Sequence, residues 1–589
     1  NVSIMKNIKN KIYKALGMTA LLGIMSLQSC LNLDPQDQIG GKNMWENANE
    51  FKEFANNFYG WTRDFGSNDN GPHSDSRSDL ITFQTPNEYS RGSNTIPSND
   101  GNYTNNYSHI RRCNLLLQAA NSYSNQSEIK EYVGDAYFFR AYSYFELLQC
   151  FGDAIIVTDP IDVSSEQLQA KRDSRQDVAK FIVSDLEKAI ELLPNYADIP
   201  TSEDGHVSKE AAEAFLSRVA LYEGTWEKFH NGDATLANTM LDTSAKAAKK
   251  VMDGGQFYLF GTRDQSKVLG DSAYKYMFIL ENEKSNPAGI QKSANHEYIF
   301  RRLHDTNLST VGLNITHGYV NNVMWVTRNF ANLYLCSDGL PIEKSKKFEG
   351  YQKRNSEFQN RDNRMRYSLL VPGQYFWTND NPRTTWVWKT DIKPGGGNGI
   401  IYNVGHGSGY NNQKWGTERA MQDAQEGYDY PVIRYAEVLL NYAEAVYERD
   451  GKISDADLDI SLNLVRLRAN PTMPKLSNSF VSANGLNMEE EIRRERTVEL
   501  YLEGFRLDDL KRWGTAVQVM NQPLLGVKYV GTEFESNWGS NTRPSQEKDS
   551  EGCLIMDGTR QWTEKNYLYP IPSTQLELDP NLGQNPGWN

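Results

Sequence analysis

Apolar positions recur at helical spacing in two blocks of the chain, residues 43–256 and 426–513, and lose that period between them. In the first block Trp45, Phe51, Phe54, Ala55 and Phe58 mark one face. Further helices are expected over 107–120, 128–151, 174–193, 208–226 and 234–252. Boundary signals support them: Ser174 as N-cap, Pro194 as a stop, Gly152-Asp153, and Gly254-Gly255. Small residues sit beside rings, as in Ala136 with Tyr137, Ala141 with Tyr144, and Ala212 and Ala220 with Tyr222. Small side chains let antiparallel helices approach and rings fill the gaps, which is how tetratricopeptide-like helix pairs stack. The strict repeat consensus is absent. In the second block helices are expected over 432–448, 454–469 and 488–513, with an irregular tail from Asn521 carrying one turn at 573–576. The expected fold is mainly α: a tetratricopeptide-like frame built from residues 43–256 and 426–589, with an irregular, loop-rich lobe at 257–425 inserted into it.

The two breaks in the pattern carry the candidate chemistry. Residues 62–104 are rich in Gly, Asn, Ser and Asp, and residues 257–425 hold Gly- and Asn-rich loops. Long ordered loops in a compact protein are usually functional. Aromatic faces stack on the C–H face of a sugar ring, while amides, carboxylates and Arg read its hydroxyls. The ligand-binding candidates are therefore Trp61, Arg77, Tyr89, Asn102 and Tyr103 in or beside the first loop, and Tyr319, Trp325, Trp377 and Trp386 in the lobe. Asp79, Asn321, Asn322, Arg328 and Trp388 lie near them. Taken one at a time, each ring has a competing reading as packing for a lobe poor in other large apolar residues.

The N-terminus changes the picture. Lys6, Lys9, Lys11 and Lys14 precede an apolar run at 15–27, then Gln28, Ser29 and Cys30. The run is shorter than the roughly 20 residues a spanning helix needs and reads as a secretory signal over 1–29, with Met5 as the expected start. Cys30 stands where a bacterial lipoprotein is cut and acylated; residues 30–42 would then be a surface tether. Each buried methylene contributes about 0.8 kcal/mol, so several acyl chains anchor almost permanently.

A net charge of −13 repels phosphate backbones and argues against nucleic acid. Cys113, Cys150, Cys336 and Cys553 show no CxxC spacing and read as buried free thiols. The eight His are scattered, with no HExxH and no Cys/His cluster, so no metal site or cofactor is expected. An oxygen-ligated Ca²⁺ in an Asp/Asn-rich loop stays open, although no loop has the EF-hand pattern. Residues 405–410, GHGSGY, lack phosphate-loop spacing and read as a turn. The carboxylates of 491–514 (Glu495, Glu499, Glu503, Asp508, Asp509) invite a hydrolase reading. Arg496, Arg506, Lys511 and Arg512 stand close along the helix, so ion pairing is the stronger expectation, as it is for Glu437 and Glu444.

Ten segments in order carry a resemblance to a known family. They include YSHIRRCN at 107–114, VGDAYFFRAYSYFELLQCFGDAIIV at 133–157, RDSRQDVAKFIVSDLEKAIELLP at 172–194 and GHVSKEAAEAFLSRVALYEGTW at 205–226. YLCSDGLPI at 334–342, NRDNRM at 360–365, YPVIRYAEVLLNYAEA at 430–445 and LNLVRLRA at 462–469 follow. EIRRERTVELYLEGFRLDDLKRWG at 491–514 and YLYPIPSTQLELDPNLGQNPGW at 567–588 complete the set. Together, behind the Cys30 motif, the chain resembles the SusD/RagB family of outer-membrane nutrient-binding lipoproteins. The resemblance implies a surface-exposed lipoprotein that captures oligosaccharides, or in some members peptides, and passes them uncleaved to a SusC-like TonB-dependent transporter that it caps as a lid. Family members often carry Trp just ahead of the 107–114 helix; Tyr103 stands there here. The competing function classes are a surface glycoside hydrolase and a helical-repeat scaffold binding only peptide or protein.

Overall fold

The computed structural model describes residues 44–66, 71–161, 165–230, 232–319, 324–372, 407–419, 421–537 and 545–588, with the backbone of 375–376 and 383–384. The chain divides into two compact units, Asn1–Glu53 and Phe54–Asn589. In the first, Trp45 packs on Phe51 with ring centroids 4.7 Å apart. A helix, α1, runs over Ala48–Asn56.

The second unit is mainly helical, as expected. Helices α2 (Gly101–Ser122), α3 (Lys130–Phe151), α4 (Arg175–Leu192), α5 (Lys209–Phe229) and α6 (Ala234–Gly254) pack each on the next. Ser174 and Ser208 cap α4 and α5 through their side-chain oxygens, and Gly255 closes α6 in the left-handed region. Small residues do what the pattern predicts: a Cβ on Gly224 would stand 2.9 Å from Leu241 Cγ, so only glycine lets α5 lie this close to α6.

Buried Arg–carboxylate pairs pin the helix interfaces. Arg140 of α3 clasps Asp185 of α4 at 2.7 and 2.8 Å and donates to Asn114 of α2. Arg175 of α4 holds Glu223 of α5. Helix α7 (Tyr435–Asp450) joins the same stack: Arg218 of α5 bonds both oxygens of Glu437 at 2.6 Å. The N-terminal and C-terminal helical blocks therefore share one core, with the lobe inserted between them in sequence.

Three of the expected elements are subdivided. Residues 430–434 are a strand pairing antiparallel with Tyr298–Arg302, and the helix begins only at Tyr435. The stretch 454–469 contains two helices, Asp455–Asp459 and α8 (Leu462–Ala469), with Ser461 out of helical geometry between them. The stretch 488–513 contains α9 (Met488–Glu499) and α10 (Arg506–Arg512), separated by Leu502 and Gly504 at φ of 59° and 76°. The tail holds a strand pair, Leu524–Lys528 with Cys553–Asp557, besides the helix Ser573–Leu578. Cys113, Cys150, Cys336 and Cys553 are buried and free.

The lobe and the C-terminal helices meet over a buried ionic network. Arg364, Lys414, Arg434, Arg466 and Arg468 interleave with Glu297, Asp362, Glu495, Glu499 and Glu503. Every one of these side chains is at most 1% exposed. The charges balance, which is what allows them to be buried at all.

Asp135 of α3 is a buried carboxyl with no cation beside it among the described residues. It accepts the Tyr59 hydroxyl hydrogen at 3.0 Å. Burial, with Glu131 and Glu203 nearby, pushes its carboxyl up to about 8 against the lowering effect of the Tyr59 bond. The native state thus holds a proton that the unfolded chain releases near pH 4, so this group's contribution falls as pH rises from about 4 to about 8. Asp135→Asn keeps an acceptor for Tyr59 and removes that slope. In thermal unfolding it should match the native chain near pH 4 and exceed it at pH 8; equal midpoints at both would refute the assignment.

Candidate functional site

The two loops singled out by their rings come together in space. The strand Ile81–Phe83 of the first loop pairs antiparallel with Met324–Val326 of the lobe, which also pairs with Tyr410–Asn411. The Tyr319 hydroxyl donates to the Gly66 carbonyl from the other side of the same junction. Trp377, Trp386 and Trp388 lie outside the described residues, as do Asn321 and Asn322.

Several rings expected at a ligand surface are packed inside. Trp325 is the middle residue of a central strand, 5% exposed, and Gly407 lies against it: a Cβ on Gly407 would overlap the indole. Tyr319 is 3% exposed. Tyr103 is 5% exposed and meets Phe151 edge-on at 5.2 Å. Arg77 is also buried; its guanidinium lies 3.6 Å from the half-buried Tyr89 ring and donates to the Tyr569 hydroxyl. The physical reason is common to all four. The first loop is not peripheral but is covered by lobe and tail, with Tyr569, Trp562 and Arg560 bonding back to residues 72–90.

Trp61 is different. It ends a 3₁₀ turn, Asn57–Trp61, whose Phe58 is fully buried. The half-buried indole stacks on Phe58 at 4.5 Å and on His109 of α2 at 4.1 Å and 10° between planes. Burial and Arg112 lower the His109 imidazole to about 4, so the ring is neutral at physiological pH. Asn102, Asn106 and His109 fall at i, i+4 and i+7 on one face of α2, all partly exposed. The Asn106 amide donates to the Asn102 carbonyl at 2.6 Å, which orients it.

Beneath this shelf lies an ordered set of charges. Arg63 donates to Glu146 at 3.1 Å, to Gln149 at 3.0 Å and to the Gly504 carbonyl at 3.3 Å. His73 bridges Glu146 (2.8 Å) and Asp508 (2.6 Å) through its two ring nitrogens. Burial and Arg63 oppose protonation of His73, but Asp508 and Glu146 outweigh them and hold it well above the ordinary histidine value. Burial likewise opposes ionisation of Glu146, yet Arg63 and His73 keep it far below the carboxylate range.

Chemically this arrangement suits contact rather than cleavage. A glycosidase acid must stay protonated near neutral pH. Glu146 and Asp508 are held ionised by their cations, and Glu437, Glu444, Glu495, Glu499, Glu503 and Asp509 are each paired with Arg or Lys. Trp61 is held between Phe58 and His109, so the surface offered to a ligand is the outer face of the partly exposed His109 ring and the indole edge, beside the oriented Asn106 amide. His109, Arg63 and Glu146 do not stand out in the sequence; the signal for His109 is its register with Asn102 on α2.

Cys30 and the leader lie outside the described residues; among the described ones no helix is long and apolar enough to cross a membrane. Two family models match the chain: one described as the SusD family over residues 278–588, and one described as starch-binding, associating with the outer membrane, over residues 37–221. No curated protein matches. Among solved structures, a SusD-like carbohydrate-binding protein from Bacteroides fragilis is 21% identical, with 92% of this chain and 99% of that one covered and a TM-score of 0.68. Another SusD-like protein from the same species aligns at 21% identity over 94% and 99%, TM-score 0.68. A surface glycan-binding protein A from Bacteroides fluxus aligns at 19% identity over 92% and 99%, TM-score 0.57.

Proposed function

The chain belongs to the SusD family, and from that premise we propose that it is a cell-surface lipoprotein that captures an oligosaccharide or polysaccharide and hands it intact to a SusC-like TonB-dependent transporter in the outer membrane. Acylation at Cys30 would anchor it there. The observation that carries the reading is the stack of Trp61 and His109 beside Asn102 and Asn106, above Glu146 and Asp508, both held ionised by their cations. Trp377 and Trp386, outside the described residues, stay ligand-contact candidates on the sequence alone. The family model's description as starch-binding makes amylopectin the first glycan to try.

Lipid-free protein run in native gels containing amylopectin, xyloglucan, galactomannan or arabinogalactan should be retarded by at least one of them, with no new reducing ends. Trp61→Ala should weaken that retardation about tenfold, or ~1.4 kcal/mol, in line with a stacked aromatic contact. His109→Ala, at a partly exposed ring, should weaken it in the same gel and guards against misfolding of the tryptophan variant. Trp325→Ala is a folding variant, because it empties a buried site. Release of reducing ends would establish the hydrolase reading instead. Retention of the glycan by both variants would remove the shelf from the site.

A further inference from the structure

On the other side of the turn that carries Trp61 lies a second pocket of about 280 Å³, close to the lower bound for small-molecule sites. One wall is the Tyr59 ring stacked on His206 at 4.8 Å and 24°. That wall is rigid, since the Tyr59 hydroxyl donates to Asp135 and accepts from the Val207 amide. The opposite side is polar. Arg301 bonds Asp204 (2.6 Å) and Asp429 (3.1 Å). Arg302 donates to the Tyr59 carbonyl and pairs with Asp64 at 3.4 Å, with its side chain 32% exposed.

His304 is the telling residue. Its side chain is 7% exposed, and Nε2 lies 2.9 Å from the Asp64 carboxylate. With Nε2–H donated to that carboxylate, Nδ1 is left as a bare acceptor, and it has no partner among the described residues. A buried acceptor without a partner costs free energy comparable to a lost hydrogen bond; Nδ1 is closed to solvent, so a turn of the ring must bring it to the pocket before a ligand hydroxyl can donate to it. Arg301, Arg302 and Lys292, which pairs with Asp429 at 2.6 Å, balance Asp204, Asp429 and Asp64, so the cluster has no net charge with which to attract an acid or an amine. What it offers is a stacked aromatic wall and alternating fixed donors and acceptors, the set that matches the hydroxyls of a polyol.

We propose that this pocket is a second carbohydrate subsite, taking a single uncharged pyranose unit between the Tyr59–His206 wall and the Asp204, Arg302 and His304 polar groups. This deepens the glycan-binding reading and rests on it. Because Tyr59 and Trp61 leave the same turn, two units of one polysaccharide chain held at the two places would bind more tightly than either alone, through effective concentration.

Histidine-labelled NMR separates the two sites, because His109 reports the shelf and His206 with His304 report the pocket. The full chain is titrated with methyl α-glucopyranoside, methyl α-mannopyranoside, methyl β-galactopyranoside and methyl β-xylopyranoside at millimolar concentrations. At least one should shift the His206 and His304 ring signals saturably, and Asp204→Asn, at a half-exposed side chain, should abolish that shift while leaving any His109 response intact. Movement of His109 alone overturns the second subsite and leaves the shelf standing. Movement of the pocket histidines alone overturns the shelf. Silence of the pocket histidines with all four glycosides, or a shift that survives in Asp204→Asn, also overturns the proposal.

Discussion

Glu499→Gln should lower the stability of the protein by about 3–5 kcal/mol, the cost of leaving buried charge uncompensated. Glu499 is the hub of the buried network. It receives Arg434 at 2.8 Å, Arg364 at 2.9 Å and Arg468. Burial resists its ionisation, but Arg468, Arg434 and Arg364 together hold it far below the carboxylate range. The amide nearly matches the carboxylate in shape, so packing is preserved and only the charge is lost. Five cations would then face four carboxylates in a region at most 1% exposed. Because Arg364 and Lys414 come from the lobe and Arg434, Arg466 and Arg468 from the C-terminal block, the variant should loosen the lobe before the helical stack. Chemical denaturation monitored by tryptophan fluorescence should show a midpoint well below the native one. Lys475→Gln, which breaks the exposed Lys475–Asp459 pair, should leave it almost unchanged. An unchanged midpoint for Glu499→Gln would mean that the network tolerates an odd charge.

The helical frame was legible because its information is local. Ser174 and Ser208 cap, Gly255 closes, and the 3.6-residue period persists through α2 to α6. The breaks were not legible, because distant residues impose them. The apolar run Val498, Tyr501, Leu502, Phe505 continues helical spacing across the gap between α9 and α10. Leu502 takes a left-handed conformation that leucine disfavours. Its N–H donates to Asp75 and its carbonyl receives the Trp415 indole at 3.1 Å, and these contacts come from far along the chain. The site divides the same way. Trp61 stands out as a ring beyond the helical pattern. Whether Trp325 faces solvent could not be read from the three apolar residues Met324–Val326, since a short run has no polar side to orient it. The pairing of carboxylates in 491–514 was legible in kind, because the cations lie in the same segments, but not in partner: Glu499 is held by Arg364, Arg434 and Arg468, none of them in its own helix.

His73→Gln should cost the protein about 3–5 kcal/mol below neutral pH, and the loss should shrink as the solution is made alkaline. The imidazolium is the only group bonded to both Glu146 and Asp508 among the described contacts. Arg63 and Lys511 also face this pair, Arg63 through Glu146 and Lys511 at 3.8 Å from Asp508, and Cys150 lies 3.8 Å from the ring. Removing the bridge leaves Asp508 with one distant cation in a buried site, which sets the size of the effect. The sign follows from His73 being raised above its unfolded value. The stability it contributes is fully present below about pH 6.5 and is lost as pH rises through the folded value. Glu146 and Asp508 are depressed instead, so their contributions are present above about pH 4.5 and are lost on acidification. The native chain should therefore be most stable from about pH 4.5 to 6.5, with the gap to His73→Gln widest there and narrowing toward pH 9. Unfolding midpoints across that range give the test: a gap that does not change with pH means the ring is neutral and the bridge is an ordinary hydrogen bond. The consequence reaches the glycan shelf, because Glu146 is shared between His73 and Arg63. The native bridge itself stays protonated until pH passes the raised folded value, so retardation by polysaccharide in native gels should hold while the stability gap closes and weaken only at the alkaline end, where the folded ring loses its proton and frees one side of that carboxylate.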